Sequence, residues 1–298
     1  MASRMPATIA AVISLSLCSA SGIASAQPLP RSQADTAQLD RGRYLGEIVA
    51  ACGACHNTFG EGMRPVPGMT LAGGRVFEER GLRAVAPNIT QDRETGIGSW
   101  TDRQIAAGIR DGHRPDGSLI GAPMPVESYR GISDSDLAAL VAWLRTIQPV
   151  RRPAEGVSRY PTALTPHGPA VTDVPDPPAS DLVARGRYVA VNLAHCMDCH
   201  SAQLSEGRAD PEGRGASGLV LEGPWGAVQA RNISSHPELG IGRWTDEQVL
   251  GAITRGVSRD GRPLAPPMAA RAPIWARMEP EDLRAIVAYL RSLPPQER

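Results

Sequence analysis

The pentapeptide Cys-x-x-Cys-His occurs twice in this chain of 298 residues, as Cys52-Gly-Ala-Cys55-His56 and as Cys196-Met-Asp-Cys199-His200, 144 residues further on. Two cysteines one helical turn apart can each form a thioether with a vinyl group of a haem. The adjoining histidine then reaches the iron from the same side. Cys-x-x-Cys pairs also occur in redox dithiols, disulfides and half zinc sites. Zinc asks for four ligands close together, and each cluster here offers three. A thioredoxin-like site asks for a βαβ pattern around the motif, which is missing. Two motifs in register therefore point to two covalently bound haem c groups.

The motifs sit inside a longer repeat. Arg41-Gly-Arg-Tyr44 returns as Arg185-Gly-Arg-Tyr188, Asn88-Ile89 as Asn232-Ile233, Trp100-Thr-Asp102 as Trp244-Thr-Asp246, and Pro123-Met124 as Pro267-Met268, all at the offset of 144. Beyond the methionines the offset becomes 146, as in Leu137 to Leu283. This is a duplicated domain and not a short-period solenoid. Residues 36–147 and 181–294 are the expected domains, joined by a proline-rich linker over 148–180 that reads as extended chain. It is either a plain spacer or a strap that sets the angle between the halves.

Each half reads as helical, so an all-α fold is expected. First helices run from about Ala37 and Asp181 into the motifs, with Gly42 and Gly186 permitting close helix contact. Middle helices start at Thr101 and Thr245, with Gln104 and Gln248 completing capping boxes. Last helices start near Ser133 and at Pro280, a residue suited to a first helical turn. Leu137, Leu140, Val141 and Leu144 fall at helical spacing, as do Leu283, Ile286, Val287 and Leu290. The Gly- and Pro-rich stretches between motif and middle helix read as loops around an object, with at most a short β piece at Gly73–Phe77.

Formal charge is balanced, with 31 basic and 31 acidic residues, so no nucleic-acid footprint is expected. Every basic residue other than histidine is arginine, which excludes a lysine ligand or Schiff base. With only Phe59 and Phe77 as phenylalanines, small domains of this kind need another core filler, and a buried porphyrin serves. Residues 1–26 read as a secretory signal, with Arg4, an apolar Ala7–Leu17 stretch and the small-x-small site Ala24-Ser25-Ala26. Cys18 leaves with it. No further segment is apolar enough to cross a bilayer, so a periplasmic protein without a transmembrane helix in its mature chain is expected, free or held at the membrane through a partner.

The motif histidines, His56 and His200, take one axial position on each iron. Of the remaining methionines only Met124 and Met268 respect the repeat, each 68 residues after its histidine and each following a proline. A neutral thioether raises the potential of low-spin iron. Met69 and Met278 have no counterpart and read as packing residues. His113, His167, His195 and His236 read as surface or turn residues, with His113 a distant alternative ligand. Trp100, Trp244, Asn88 and Asn232 are candidate propionate donors, or else core and turn residues. Pro67 and Pro211 mark a stretch whose carbonyl could accept the proximal histidine N–H.

With Ala86-Pro-Asn-Ile-Thr90, Thr95-Gly-Ile-Gly-Ser-Trp-Thr-Asp102, Pro123-Met-Pro125 and Ser133-Asp-Ser-Asp136, the chain resembles tandem class I cytochrome c domains. It is similar in particular to the cytochrome subunits of bacterial alcohol and gluconate dehydrogenases. The resemblance implies that Cys52, Cys55, Cys196 and Cys199 bind haem covalently, and that His56 with Met124 and His200 with Met268 ligate the irons. It implies an electron-transfer protein and not an enzyme, fed by an exported dehydrogenase and emptied by a cytochrome or terminal oxidase. Those subunits usually carry three haem domains and a membrane-attaching tail. This chain has two motifs and ends at Gln296-Glu-Arg298, so a diffusing or differently docked carrier is expected as readily as a fixed subunit. The other functional class is a dihaem enzyme of the peroxidase or thiosulfate-oxidising type, which needs an open or specially ligated iron.

Overall fold

The computed structural model describes Met1 and residues 31–79, 81–203, 209–223 and 225–297; of 31–34, 79, 203 and 209–213 only the backbone is described. The expected export signal, residues 1–26, lies outside the described residues apart from Met1.

The first half contains α1 (Arg31–Tyr44), α2 (Gly53–His56), the ribbon β1 (Val76–Glu79) and β2 (Leu82–Val85), α3 (Asp102–Arg110), α4 (Val126–Tyr129) and α5 (Asp134–Arg145). The second contains α6 (Leu182–Arg187), α7 (Cys196–Cys199), β3 (Ser201–Gln203), β4 (Ala209–Arg214), β5 (Val220–Gly223), β6 (Gly226–Gln229), α8 (Asp246–Arg255), α9 (Pro266–Ala269), α10 (Ala272–Trp275) and α11 (Pro280–Ser292). The repeat is therefore structural, and helices dominate it.

The helix starts obey local chemistry. Thr101 caps α3: its hydroxyl accepts from Gln104 N at 3.3 Å, while the Gln104 side chain accepts from Thr101 N at 2.8 Å. Thr245 and Gln248 repeat this geometry at α8. Ser133 caps α5, Asp181 caps α6, and Pro280 opens α11. Among the described residues the first helix spans Arg31–Tyr44, so it extends ahead of the expected Ala37.

The all-α expectation is corrected by three antiparallel two-stranded ribbons among the described residues. β1 pairs with β2 in register Val76↔Val85, and its counterpart β5–β6 pairs Val220↔Gln229. β3–β4 occurs in the second half alone among the described residues. Runs of four residues flanked by glycine carry too little alternation to stand out in sequence.

Between α5 and α6 the chain over 148–180 carries neither helix nor ladder. It lies on the first half all the same. Arg159 exchanges both backbone hydrogen bonds with Arg83 on β2, the Ser158 hydroxyl accepts from Val85 N at 3.0 Å, and Asn88 Nδ2 donates to Val150 O at 2.7 Å.

Each half closes by packing its first helix on its last. A Cβ at Gly42 would stand 1.9 Å from Ala139 O, and one at Gly186 would stand 1.8 Å from Ala285 O. Only glycine permits that approach. The two halves then meet about a pseudo-twofold. Tyr44 donates to Asp282 Oδ2 at 2.7 Å and Tyr188 donates to Asp136 Oδ2 at 2.7 Å. Arg41 holds Asp136 through a two-nitrogen fork, and Arg185 Nε donates to Asp282 at 2.7 Å. The buried carboxylates are thus paired and hydrogen-bonded, as burial demands.

Candidate haem sites

Each motif is delivered by the same backbone device. After α1 the chain widens into a π-helical turn, Leu45–Val49, and after α6 into another, Tyr188–Leu193. Next come Ala51 at φ 51° and His195 at φ 44°, the residues just before each first cysteine. A left-handed non-glycine residue costs on the order of 1–2 kcal/mol. Its recurrence at repeat-related positions marks the geometry as functional. The reversal ends the entry helix and starts the motif turn, α2 or α7, in a new direction.

Both turns open onto one continuous cavity of about 3070 Å³, lined by residues of both halves. Cys52, Cys55 and His56 line it from the first motif, Cys196, Cys199 and His200 from the second, and Met124 and Met268 line it as well. The eight residues singled out from the sequence therefore share one cavity. Its walls include the repeat-related pairs Ile97 and Ile241, and Trp100 and Trp244.

The four motif cysteines form no disulfide. Desolvation pushes the Cys52 thiol up to about 12, with a smaller push from Cys55, and the Cys196 thiol up to about 12, with smaller pushes from Cys199 and Asp198. Burial also lowers the pKa of His56 and His200, which keeps each imidazole neutral. A neutral imidazole is the metal-ligating form. His56 Nδ1 is 2.9 Å from Pro87 O and His200 Nδ1 is 2.7 Å from Arg231 O. With Nδ1 donating to the carbonyl, Nε2 is the nitrogen left for a metal.

That carbonyl is a correction to the sequence reading. Pro67 is exposed and takes no part, and the Pro211 side chain lies outside the described residues. The acceptors are at positions 87 and 231, again 144 apart and immediately before Asn88 and Asn232. A main-chain carbonyl has no side-chain signature; only the repeat itself, read one residue upstream of the asparagines, could have located it.

The asparagines act on the protein. Asn88 Oδ1 accepts from Thr90 N at 2.9 Å, and its Nδ2 donates to Thr95 Oγ1 at 3.0 Å as well as to Val150 O. Asn232 Oδ1 accepts from Ser234 N, and Nδ2 donates to Gln296 O at 2.8 Å. Both fasten the loop after the accepting carbonyl to the chain beyond the last helix. Trp100 and Trp244 line the cavity.

The other histidines separate cleanly. His113 pairs with Leu119 in an isolated bridge and is not among the cavity-lining residues. His236 Nδ1 accepts from Glu238 N and Leu239 N, as Asp92 accepts from Glu94 N and Thr95 N in the first half. His167 lines the cavity, but its Nδ1 is 2.9 Å from Glu127 Oε1 and its Nε2 is 2.9 Å from Ile120 O. His195 is no plain surface residue. It lines the cavity, meets the Tyr129 ring edge-on at 6.1 Å, and desolvation lowers its pKa to about 3. Met278 is buried and lines the cavity but has no repeat counterpart, and Met69 is half-buried and is not among the lining residues.

A haem fits this donor set: paired neutral thiols, an imidazole fixed through Nδ1, a thioether on the same cavity, and apolar walls. Comparison with known proteins agrees. The family profile for cytochrome c matches residues 46–148 and 183–294. The chain is 29% identical over 282 residues to the fructose dehydrogenase cytochrome subunit of Gluconobacter japonicus, covering 90% of this chain and 55% of that protein. It is 29% identical over 279 residues to the cytochrome c subunit of the quinone alcohol dehydrogenase of Gluconobacter oxydans, covering 88% and 56%. It is 27% identical to a dihaem c-type cytochrome of Cereibacter sphaeroides, covering 88% of each chain. The chain thus spans about half the length of these two dehydrogenase subunits. It belongs to the cytochrome c family.

Proposed function

We propose that this member of the cytochrome c family is a dihaem electron carrier. It takes electrons one at a time from an exported dehydrogenase and passes them to a downstream cytochrome or terminal oxidase. Haem c, when bound, supplies the one-electron couple. The residues of the chain do the rest. Cys52 with Cys55, and Cys196 with Cys199, tether one group each. His56 and His200 ligate through Nε2, oriented by the carbonyls of Pro87 and Arg231. Met124 and Met268 would each offer a thioether sulfur as a further ligand to iron. The tandem domains run over 36–147 and 181–294, joined through 148–180, behind an export signal at 1–26. The site of action is the periplasm.

The observation that carries this reading is the convergence of two repeat-related thiol–thiol–imidazole turns and two repeat-related thioethers on one cavity. Relatives named as dehydrogenase cytochrome subunits support a dehydrogenase as donor. No described helix is long and apolar enough to cross a membrane. His113, the alternative ligand, is not among the cavity-lining residues, so it lends the peroxidase or thiosulfate-oxidising reading no support.

The test is haem quantification on protein made in a host competent in cytochrome maturation. Two haems per chain are expected. Replacing both cysteines of either motif by serine should leave one. Retention of two haems in both double variants, or colourless wild-type protein, would overturn the proposal.

A further inference from the structure

The repeat changes register by two residues just beyond Met268, and this departure adds a charge to the wall of the shared cavity. In the first half Met124 is followed by Pro125 and then α4. In the second, Met268 is followed by Ala269, Ala270 and Arg271 before α10 begins. With the register restored, Pro125 stands where Arg271 does, so the first half has no cation here.

The position of Arg271 is held from both sides. Its backbone N donates to Met268 O at 3.0 Å, tying it to the thioether loop of the second half. The helix it precedes is docked on the first half, where Trp275 Nε1 donates to Val49 O at 3.1 Å, three residues before Cys52. Arg271 lines the shared cavity, and its Nη1 is buried with no hydrogen-bond partner. A guanidinium keeps its charge even when buried, and an unpartnered buried N–H is costly. Such an arrangement calls for a compensating role. Burial pushes the Cys52 and Cys196 thiols up, and the Arg271 charge opposes that push weakly at both motifs.

We propose that Arg271 is a tuning residue common to both haem sites, a fixed cation that raises the two reduction potentials together. A nearby positive charge disfavours the ferric state, which carries one more positive charge than the ferrous state. The low-dielectric surroundings extend its reach. The inference rests on the dihaem reading above, which haem content and the methionine-to-iron charge-transfer band of the wild type test separately.

Redox titration of the loaded protein decides it. In Arg271→Met both midpoint potentials should fall, with two haems retained and the charge-transfer band unchanged; Arg271→Lys should restore most of both shifts. Unchanged potentials would overturn the proposal. So would a shift confined to the second haem, since that would be a local effect of the Met268 loop. If Arg271→Met loses haem, Arg271→Gln gives the same reading with a polar side chain; loss of haem in both variants would make the residue structural and end the electrostatic assignment.

Discussion

Met124 and Met268 each stand after a proline, at the same distance from their histidines, and both reach the one cavity. A thioether ligand favours the ferrous state. Met124→Ala is therefore expected to abolish the methionine-to-iron band of one haem and lower its potential while covalent haem stays in place, and Met268→Ala the same at the other. Unchanged spectra and potentials in both variants would remove the two methionines from the assignment. At this scale the sequence was largely legible, because thiols, imidazoles and thioethers declare their chemistry by identity and the duplication supplied an internal check. What it concealed were main-chain groups. The carbonyls of Pro87 and Arg231 hold the imidazoles, and their residues could be almost any type. His195 was concealed for a related reason: its counterpart is Ala51, so the repeat assigned it no role, yet the two share a left-handed backbone.

Among the elements, the contact of each first helix with its last is set by a glycine. A methyl group at Gly42 would overlap the carbonyl of Ala139, and one at Gly186 that of Ala285. Overpacking of this kind typically costs about 1–3 kcal/mol. Gly42→Ala and Gly186→Ala should each lower the unfolding midpoint of the mature protein in urea, with the shift matching that loss; midpoints equal to wild type would show that the helices separate without strain. The capping boxes and the prolines of the last helices were readable because they are local codes. The ribbons were less so. A four-residue strand owes its existence to its partner, and the segment around Arg159 that lies on β2 comes from beyond the whole first half in sequence.

For the molecule as a whole, the two halves are joined by reciprocal tyrosine–aspartate bonds that obey the repeat on both sides. Tyr44 also accepts from Glu279 N at 3.0 Å, as Tyr188 accepts from Ser133 N at 3.1 Å. This is the arrangement of an isologous dimer interface within one chain. A hydrogen bond to a charged group contributes roughly 1.5–3 kcal/mol. Tyr44→Phe and Tyr188→Phe should each destabilise by about that amount, and by similar amounts, because the same tyrosine–aspartate bond is made on both sides. Thermal unfolding of the two variants checks this, and a loss in one with none in the other would refute the equivalence. The symmetry is broken where the electrostatics differ: by Arg271, and by Ser128, whose hydroxyl donates to Asp198 of the second motif at 2.5 Å.

The amino-acid sequence by itself determined the duplication, the two Cys-x-x-Cys-His turns, the methionines that recur with them and the starts of the middle and last helices. Each of these depends on residue type at short spacing or on recurrence of the same string. Tertiary structure alone decided that both motifs share one cavity, that the middle stretch lies along the first half, and that Arg271 lines the cavity the two motifs share. Those outcomes depend on which surfaces bury each other across separations of a hundred residues or more. Such burial is governed by shape and by pairing of polar groups summed over the entire fold, and no local pattern encodes that sum.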